Sequence, residues 1–305
     1  MRYPFDLRTL VPLGLAAAAL PLAAAAQAPR SVAATAAAPE GTTFEFATLP
    51  TGVRLRYVEQ GIGRGETIVL LHGYSDSWFS FSRVLPILDD RHHLIAVDLR
   101  GHGGSDQPES GYSLASLAAD IVALLDRKGI ERAVILGHSM GSLVAQQVAL
   151  AAPARVSRLV LVGSAVNLGN MDGAAEFEAA VNSLTDPVPV EFLRSFQEST
   201  VSLPLPEGFI DRAVEESKVL TARVWKALLA GMLETPAAIG LAEQGIPTLA
   251  IWGGKDAIFL PPERDAVMKL LGNARRIEYP GTGHAPHWEQ PERFAADVAA
   301  FLSGK

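Results

Sequence analysis

One serine of this chain lies in a sequence context that favours nucleophilic catalysis. The segment GHSMG occupies residues 137–141, directly after an apolar run and directly before an apolar stretch with helical spacing. Glycines on both sides of Ser139 permit a sharp turn between a strand and a helix, which exposes the serine hydroxyl. Backbone N–H groups at the start of that helix favour negative charge that develops beside the hydroxyl. We therefore predict that Ser139 is a catalytic nucleophile.

A serine hydroxyl becomes a good nucleophile only when a base removes its proton. The chain has seven histidines, and His284 is predicted as this base because it lies in the glycine-containing loop PGTGH directly after a predicted strand. His287 is the alternative, although its proline and tryptophan neighbours favour a packing or supporting role. The remaining histidines are assigned to the surface or to supporting loops: His72, His92, His93, His102 and His138.

The base in turn needs an acid that orients it and stabilises its protonated form. Asp256 follows a predicted strand within the sequence GGKD. A solvated turn residue beside Lys255 is the alternative interpretation. The position after a strand favours the catalytic role, because active sites of parallel sheets lie at the carboxyl ends of the strands.

Apolar runs that alternate with helical segments predict the framework for these side chains. Strands are predicted over residues 67–71, 93–98, 133–136, 158–162, 248–252 and 276–279. Helices are predicted between Ser113 and Gly129 and over residues 143–151 and 291–302. Continuous apolar strands are typical of a sheet that is covered on both faces. The predicted fold class is therefore α/β, with a mostly parallel central sheet and helices on both faces.

One long segment interrupts this alternation. Residues 165–245 contain no convincing strand, but they show helical periodicity broken by five prolines. We interpret this segment as a helical cap inserted into a core formed by residues 42–164 and 246–305. Ordinary sheet-covering helices are the alternative, but two strands with several helices between them favour an insertion.

Composition limits the classes of partner. Of the 305 residues, 49% are hydrophobic and 19% are charged, and the formal net charge is −7. An acidic chain is a poor partner for nucleic acid or for an anionic membrane surface. The absence of cysteine excludes disulfides, thiolate metal sites and a cysteine nucleophile. A small-molecule substrate is the predicted partner, and the oligomeric state is not indicated.

The N-terminal segment has the features of a signal peptide. Arg2 and Arg8 precede an apolar, alanine-rich run, and a small-x-small motif ends at Ala28. We predict a cleaved signal peptide over residues 1–28, a flexible leader over 29–41, and export to the periplasm or the medium. A retained membrane anchor is the alternative, but the run is short and contains two prolines. No stable membrane anchor is expected after processing.

From about residue 53 to residue 302 the chain resembles the α/β-hydrolase superfamily. The resemblance is carried by HGY at 72–74, the loop at 98–106, GHSMG at 137–141, GKD at 254–256 and GH at 283–284. The order of Ser139, Asp256 and His284 along the chain is the order that this fold uses for its catalytic triad.

The resemblance also implies how the site works. The oxyanion hole would consist of the backbone N–H groups of Tyr74 and Met140, with Asp98 bracing a nearby loop. The implied reaction is acyl transfer on a carboxylic ester or lactone, without a metal or other cofactor. Epoxide hydrolases and haloalkane dehalogenases have aspartate where this chain has Ser139, which disfavours both. Cofactor-free perhydrolases, C–C bond hydrolases and slow-turnover receptors of the same fold remain alternatives.

An apolar substrate pocket is expected beneath the cap. Trp78 and Phe79, next to the oxyanion loop, and Trp225 in the cap are predicted to line it. Further apolar side chains of the cap line the pocket or pack against the core: Phe192, Phe196, Leu203, Leu205, Phe209, Leu229 and Met232. This composition favours substrates of small to medium size.

Overall fold

Eight strands form one sheet in the part of the chain that the computed structural model describes, residues 43–88, 91–169 and 173–304. The predicted signal peptide and leader lie outside the described residues and remain predictions. The strands are β1 Phe44–Thr48, β2 Arg54–Gln60, β3 Thr67–Leu71, β4 His93–Val97, β5 Ala133–His138, β6 Val156–Val162, β7 Thr248–Gly253 and β8 Arg275–Tyr279.

Strands β3 to β8 pair with one another in parallel. The order across the sheet is β1-β2-β4-β3-β5-β6-β7-β8, and the pairs β1–β2 and β2–β4 are antiparallel. Every residue of β5 and of β7 is buried, as continuous apolar runs require when helices cover both faces. The predicted mostly parallel α/β sheet is therefore confirmed.

The two strands at the antiparallel edge were not predicted. Three of the five residues of β1 are exposed, and β2 contains Arg54, Arg56 and Glu59. The edge strand β1 has a solvent-facing side, and the mostly buried β2 contains Arg56, which pairs with Asp98, so neither shows the continuous apolar run of the central strands. A search for continuous apolar runs therefore finds its first strand at Thr67 and misses β1 and β2.

Ten α-helices accompany the sheet in the described residues, and one of them, α2 at Leu114–Lys128, is capped at both ends. In α2, Ser113 Oγ accepts a hydrogen bond from the Ser116 N–H at 3.1 Å, and Gly129 ends the helix with a left-handed φ of 65°. No helix of the described residues is long and apolar enough to cross a membrane. The bounds are α1 Leu85–Leu88, α2 Leu114–Lys128, α3 Met140–Ala151, α4 Ala174–Asn182, α5 Val190–Glu198, α6 Phe209–Ser217, α7 Ala222–Glu234, α8 Pro261–Leu271, α9 Pro286–Glu289 and α10 Pro291–Leu302.

Alternate residues of the parallel strands build two cores, one on each face of the sheet. Val69, Ile95 and Ile135 pack with residues of α2, α3 and the cap. Leu70 and Leu136 face the other way and pack with residues of α1 and α10. This alternation follows from the two-residue period of a strand.

The segment between β6 and β7 is helical, with four α-helices (α4 to α7) and no strand among its described residues. It is the region interpreted as a cap from the sequence. Its side chains join the core on the face that carries α3, so the cap packs on the side of the helix that begins at Met140, directly after Ser139. The cap is therefore placed to cover that end of the sheet.

Candidate active site

Ser139 occupies a sharp turn between β5 and α3. Its φ of 51° and ψ of −119° lie outside the regions that L-residues ordinarily adopt. The Ser139 N–H donates to the Val162 carbonyl at 2.9 Å, and Ser142 Oγ donates to the Ser139 carbonyl at 2.6 Å. These bonds hold the strained residue in place and leave its side chain partly exposed.

The two glycines around Ser139 are sterically required. A Cβ on Gly137 would lie 2.1 Å from the Gly141 carbonyl oxygen, and a Cβ on Gly141 would lie 2.1 Å from the Leu71 carbonyl oxygen. Both clashes are with backbone, which cannot move aside as a side chain can. The turn therefore needs both glycines, as the sequence motif indicated.

The structure pairs His284 with Asp256. Their loops follow β8 and β7, and His284 Nδ1 lies 2.9 Å from Asp256 Oδ2. The other carboxylate oxygen accepts the N–H groups of Ile258 at 2.8 Å and Phe259 at 3.0 Å. Both side chains are buried, and His284 Nε2 has no hydrogen-bond partner among the described residues. The ring is thus fixed at one nitrogen, and its other nitrogen is available for proton transfer.

The loop that carries His284 is attached to the cap. The Thr200 carbonyl, just after α5, accepts the N–H of His284 at 2.7 Å and the N–H of Ala285 at 3.2 Å. The first of these bonds links the cap to the backbone of the histidine itself. Nothing in the sequence around Thr200 indicates such a contact.

The Glu289 carboxylate makes the same connection from the other side. Its Oε1 accepts the Gly283 N–H at 2.7 Å, and its Oε2 accepts the cap N–H groups of Leu203 at 2.6 Å and Ser202 at 3.2 Å. Sequence reasoning missed Glu289, because an acidic residue in a short surface-like segment normally indicates solvation. The partners of a carboxylate are set by chain packing, which the local sequence does not reveal.

The predicted oxyanion donors are the backbone N–H groups of Tyr74 and Met140. Met140 is the first residue of α3, so its N–H has no acceptor within the helix. Tyr74 follows β3, and its ring packs edge-on against Trp225 at 4.6 Å and Phe196 at 5.8 Å. Both residues line the cleft that contains Ser139.

That cleft is apolar and bounded by the cap. It encloses about 720 Å³ of empty space, including its solvent-open mouth, which is within the range of small-molecule sites. Tyr74, Ser139 and Ser199 supply the polar groups among its lining residues. The others are Met140, Leu143, Leu168, Ala174, Phe177, Phe196, Leu229, Met232, Leu233, Ile258 and Phe259.

Comparison with known proteins places this geometry in a family. A sequence profile of the α/β-hydrolase fold matches residues 66–291, well over half of the chain. This chain belongs to the α/β-hydrolase family.

Similar proteins of the α/β-hydrolase family carry different hydrolase names. Epoxide hydrolase A from Mycobacterium tuberculosis is 44% identical over 89 residues, which is 28% of this chain and only 28% of that enzyme. Lipase 1 from Psychrobacter immobilis is 28% identical over 265 residues, covering 84% of this chain and 83% of the lipase. The solved structure of the esterase RhEst1 from a Rhodococcus species has a TM-score of 0.74 and 29% identity, covering 85% of this chain and 98% of that one. Family membership therefore establishes a hydrolase fold, while the substrate is still to be argued.

The three aromatic residues predicted for the pocket of this α/β-hydrolase do not line the cleft. Trp225 is fully buried and packs behind the Tyr74 ring. Trp78 is buried against Phe44 and Phe79, and Phe79 stacks against Phe209. Phe79 and Trp225 instead lie in the packing between cap and core, and Trp78 lies within the core.

A buried polar cluster lies behind His284. The His138 ring is 5.0 Å from the His284 ring and 4.5 Å from the His287 ring, and His287 Nε2 lies 3.1 Å from Ser80 Oγ. Asp76 accepts a hydrogen bond from the cap residue Gln197 at 3.1 Å, and its other oxygen is 3.9 Å from His138 Nδ1. Asp256 is thus hydrogen-bonded to His284, while the alternative base His287 bonds to Ser80.

Burial keeps several histidines of this α/β-hydrolase uncharged. Desolvation lowers the pKa of His72 to about 4 and that of His287 to about 3, and it also lowers the pKa values of His102 and His138 strongly. In the unfolded chain these residues take up protons below about pH 6.5. Their contribution to stability is therefore complete above pH 6.5 and is lost progressively as the pH falls towards the folded-state pKa.

We expect the free energy of unfolding to fall between pH 7 and pH 5. His72 and His287 should each account for about 2 kcal/mol at pH 5. Asp76 acts in the opposite direction. Burial raises its pKa to about 6, so its protonation in the folded state should add about 1 kcal/mol to the free energy of unfolding over the same interval.

Urea denaturation at pH 7, 6 and 5 measures this dependence. The His287→Gln variant should lose less stability on acidification than the wild type, because it lacks one of the groups that protonate on unfolding. An unfolding free energy that stays constant from pH 7 to pH 5 would contradict the expectation.

Proposed function

We propose that this α/β-hydrolase cleaves carboxylic esters or lactones of small to medium apolar substrates through an acyl-enzyme on Ser139. The observation that carries the proposal is the state of the His284 ring, held by Asp256 at Nδ1 and without a partner at Nε2. A buried nitrogen without a partner is costly. That cost is compensated when the nitrogen accepts a proton from a serine engaged with substrate.

In the proposed acylation these groups act in turn. Ser139 Oγ adds to the carbonyl carbon of the substrate while its proton passes to His284 Nε2. Asp256 accepts the hydrogen bond from Nδ1–H and stabilises the imidazolium, and the N–H groups of Tyr74 and Met140 receive the carbonyl oxygen as it becomes negative. The proton of Nε2 then passes to the leaving alcohol oxygen as its bond to the acyl carbon breaks.

Deacylation repeats the same proton transfers with water. His284 Nε2 removes a proton from a water molecule whose oxygen adds to the acyl carbon. When the tetrahedral intermediate collapses, the proton returns to Ser139 Oγ and the carboxylic acid leaves. For a lactone the alcohol and the acid are two ends of the same product.

The lining of the cleft supports an apolar acyl group as the substrate class. Leu143, Phe177, Phe196 and Leu229 offer no hydrogen-bond partners to a polar chain. An apolar pocket with a few convergent polar groups is typical of small-molecule sites. The lipase and the esterase among the similar proteins support the same class.

Two measurements on the purified protein test the proposal. The wild type should hydrolyse p-nitrophenyl esters of short and medium acids, and a fluorophosphonate probe should label it on the peptide that contains Ser139. Labelling of another residue, or absence of both labelling and hydrolysis, would overturn the acyl-enzyme. Labelling without ester turnover would instead favour a slow-turnover receptor, and it would overturn the proposed esterase activity.

A further inference from the structure

Leu143 and Met232 separate the cleft from a second hollow. Both residues line the cleft that contains Ser139, and both also line the hollow, which has about 220 Å³ of empty space including its open part. Among the described residues they are the two that the linings share. The other residues of the hollow are Leu114, Gln146, Gln147, Val166, Asn167, Thr235, Pro236 and Ala238.

This wall has one component in the core and one in the cap. Leu143 lies on α3, four residues after Ser139, which is about 6 Å along the helix axis. Met232 lies near the end of the cap helix α7. Both side chains are 4% exposed, so each is packed rather than free to swing into solvent. The shape of this wall therefore depends on how the cap packs on the core.

The two spaces differ in chemistry. The cleft is lined mostly by carbon, whereas the hollow presents the side chains of Gln146, Gln147, Asn167 and Thr235. The Gln146 amide already has hydrogen-bond partners, because it donates to Ser164 Oγ and to the Ala165 carbonyl, each at 3.0 Å. An alkyl chain would gain little there, because apolar groups gain free energy when they meet apolar surroundings. The wall thus lies at a boundary between apolar and polar space.

We propose that Leu143 and Met232 form the end wall of the acyl site and set the longest acyl chain that the enzyme accepts. This inference rests on the proposed function, because the chain it limits is the one attached to Ser139. An acyl group on Ser139 that follows the first turn of α3 reaches Leu143 and meets Met232 beside it. Beyond that point a longer chain meets a space in which polar side chains share the lining with apolar ones.

Met232 is the residue to change, because it lies outside the nucleophile turn. In Met232→Ala the cleft and the hollow become continuous, and longer chains gain room. The ratio of kcat/KM for p-nitrophenyl decanoate to that for the butanoate should rise by roughly tenfold, since the apolar space left by the Met232 side chain takes about two further methylenes, each worth about a factor of four. Met232→Phe should move the same ratio in the opposite direction.

Leu233→Ala is the matched control. Leu233 neighbours Met232 on α7 and lines the cleft, but it does not line the second hollow. Its truncation widens the cleft without opening the wall, so the ratio of decanoate to butanoate should change by much less than in Met232→Ala. Circular dichroism and thermal unfolding of each variant show that the compared proteins are folded.

The outcomes separate the two proposals. Suppose the wild type hydrolyses esters, but neither Met232→Ala nor Met232→Phe shifts its chain-length profile. That result would overturn the proposal of an end wall and leave the proposed esterase function standing. The wall is also overturned if Leu233→Ala shifts the profile as much as Met232→Ala. A wild type without ester hydrolysis would overturn the proposed function itself. Opposite shifts in the two Met232 variants, with a small shift in the control, support the wall.

Discussion

The Ser139→Ala variant should lose roughly 10⁵- to 10⁶-fold in kcat for p-nitrophenyl esters while keeping its fold, the size of loss that removal of a serine nucleophile causes in well-studied hydrolases. No acyl-enzyme can form without the hydroxyl. The methyl group that remains fits the same space, and the backbone bond from the residue 139 N–H to Val162 does not involve the side chain. Initial rates and circular dichroism of the purified variant measure both parts of the prediction.

Ser199→Ala provides a matched control in the same cleft. Ser199 also lines the cleft, but its hydroxyl donates to the Phe196 carbonyl at 2.6 Å and lies on a cap helix end rather than in the strained turn. This variant should retain at least roughly a hundred times the rate of Ser139→Ala. Equal hydrolysis by the wild type and Ser139→Ala would mean that another residue is the nucleophile.

Replacing Asp256 with asparagine should lower kcat by roughly 10⁴-fold, because the histidine would take the wrong tautomer. The oxygen Oδ1 of Asp256 accepts two backbone N–H groups, those of Ile258 and Phe259. The asparagine carbonyl must stay with those donors, so its NH₂ group turns towards His284 Nδ1. That nitrogen then accepts, the ring proton moves to Nε2, and the base cannot take a proton from Ser139.

Asp265→Asn is the control for the Asp256 variant. Asp265 is an exposed carboxylate on α8 that forms an ion pair with Arg276 at 2.8 Å and has no part in the proposed mechanism. Its replacement should leave kcat close to the wild-type value. If Asp256→Asn keeps more than about a tenth of the wild-type kcat, the orienting role of Asp256 is wrong.

The turn at Ser139 and the central strands could be predicted from the sequence because each leaves a recognisable pattern in consecutive residues. A strand buried on both faces must be apolar along its whole length, which makes the runs at residues 67–71 and 248–252 recognisable without any structure. Gly137 is required by the carbonyl of Gly141, four residues along the chain, whereas Gly141 is required by the carbonyl of Leu71 at the end of another strand. The burial rule for strands and the motif around Ser139 predicted the class of fold and the place of the serine.

The pocket could not be predicted in the same way. Trp78, Phe79 and Trp225 are near the site in sequence, yet the direction of each side chain depends on which neighbour offers apolar surface. Leu143, which does line the cleft, follows Ser139 by one helical turn and was noticed only as the start of a helix. An apolar side chain has the same sequence signal whether it faces a ligand or a core.

Residue types and spacing along the chain were sufficient for the α/β class, the candidate nucleophile and the two loops that carry Asp256 and His284, because each depends on a strand end and the turn after it. Three features are different in kind: the partners of Glu289, the bond from the Thr200 carbonyl to the His284 backbone, and the position of Leu143 and Met232 in the lining of the same two spaces. Each joins residues far apart in the chain across the seam between cap and core. Such contacts are set by how packed elements fit together, and that fit exists only in the folded protein.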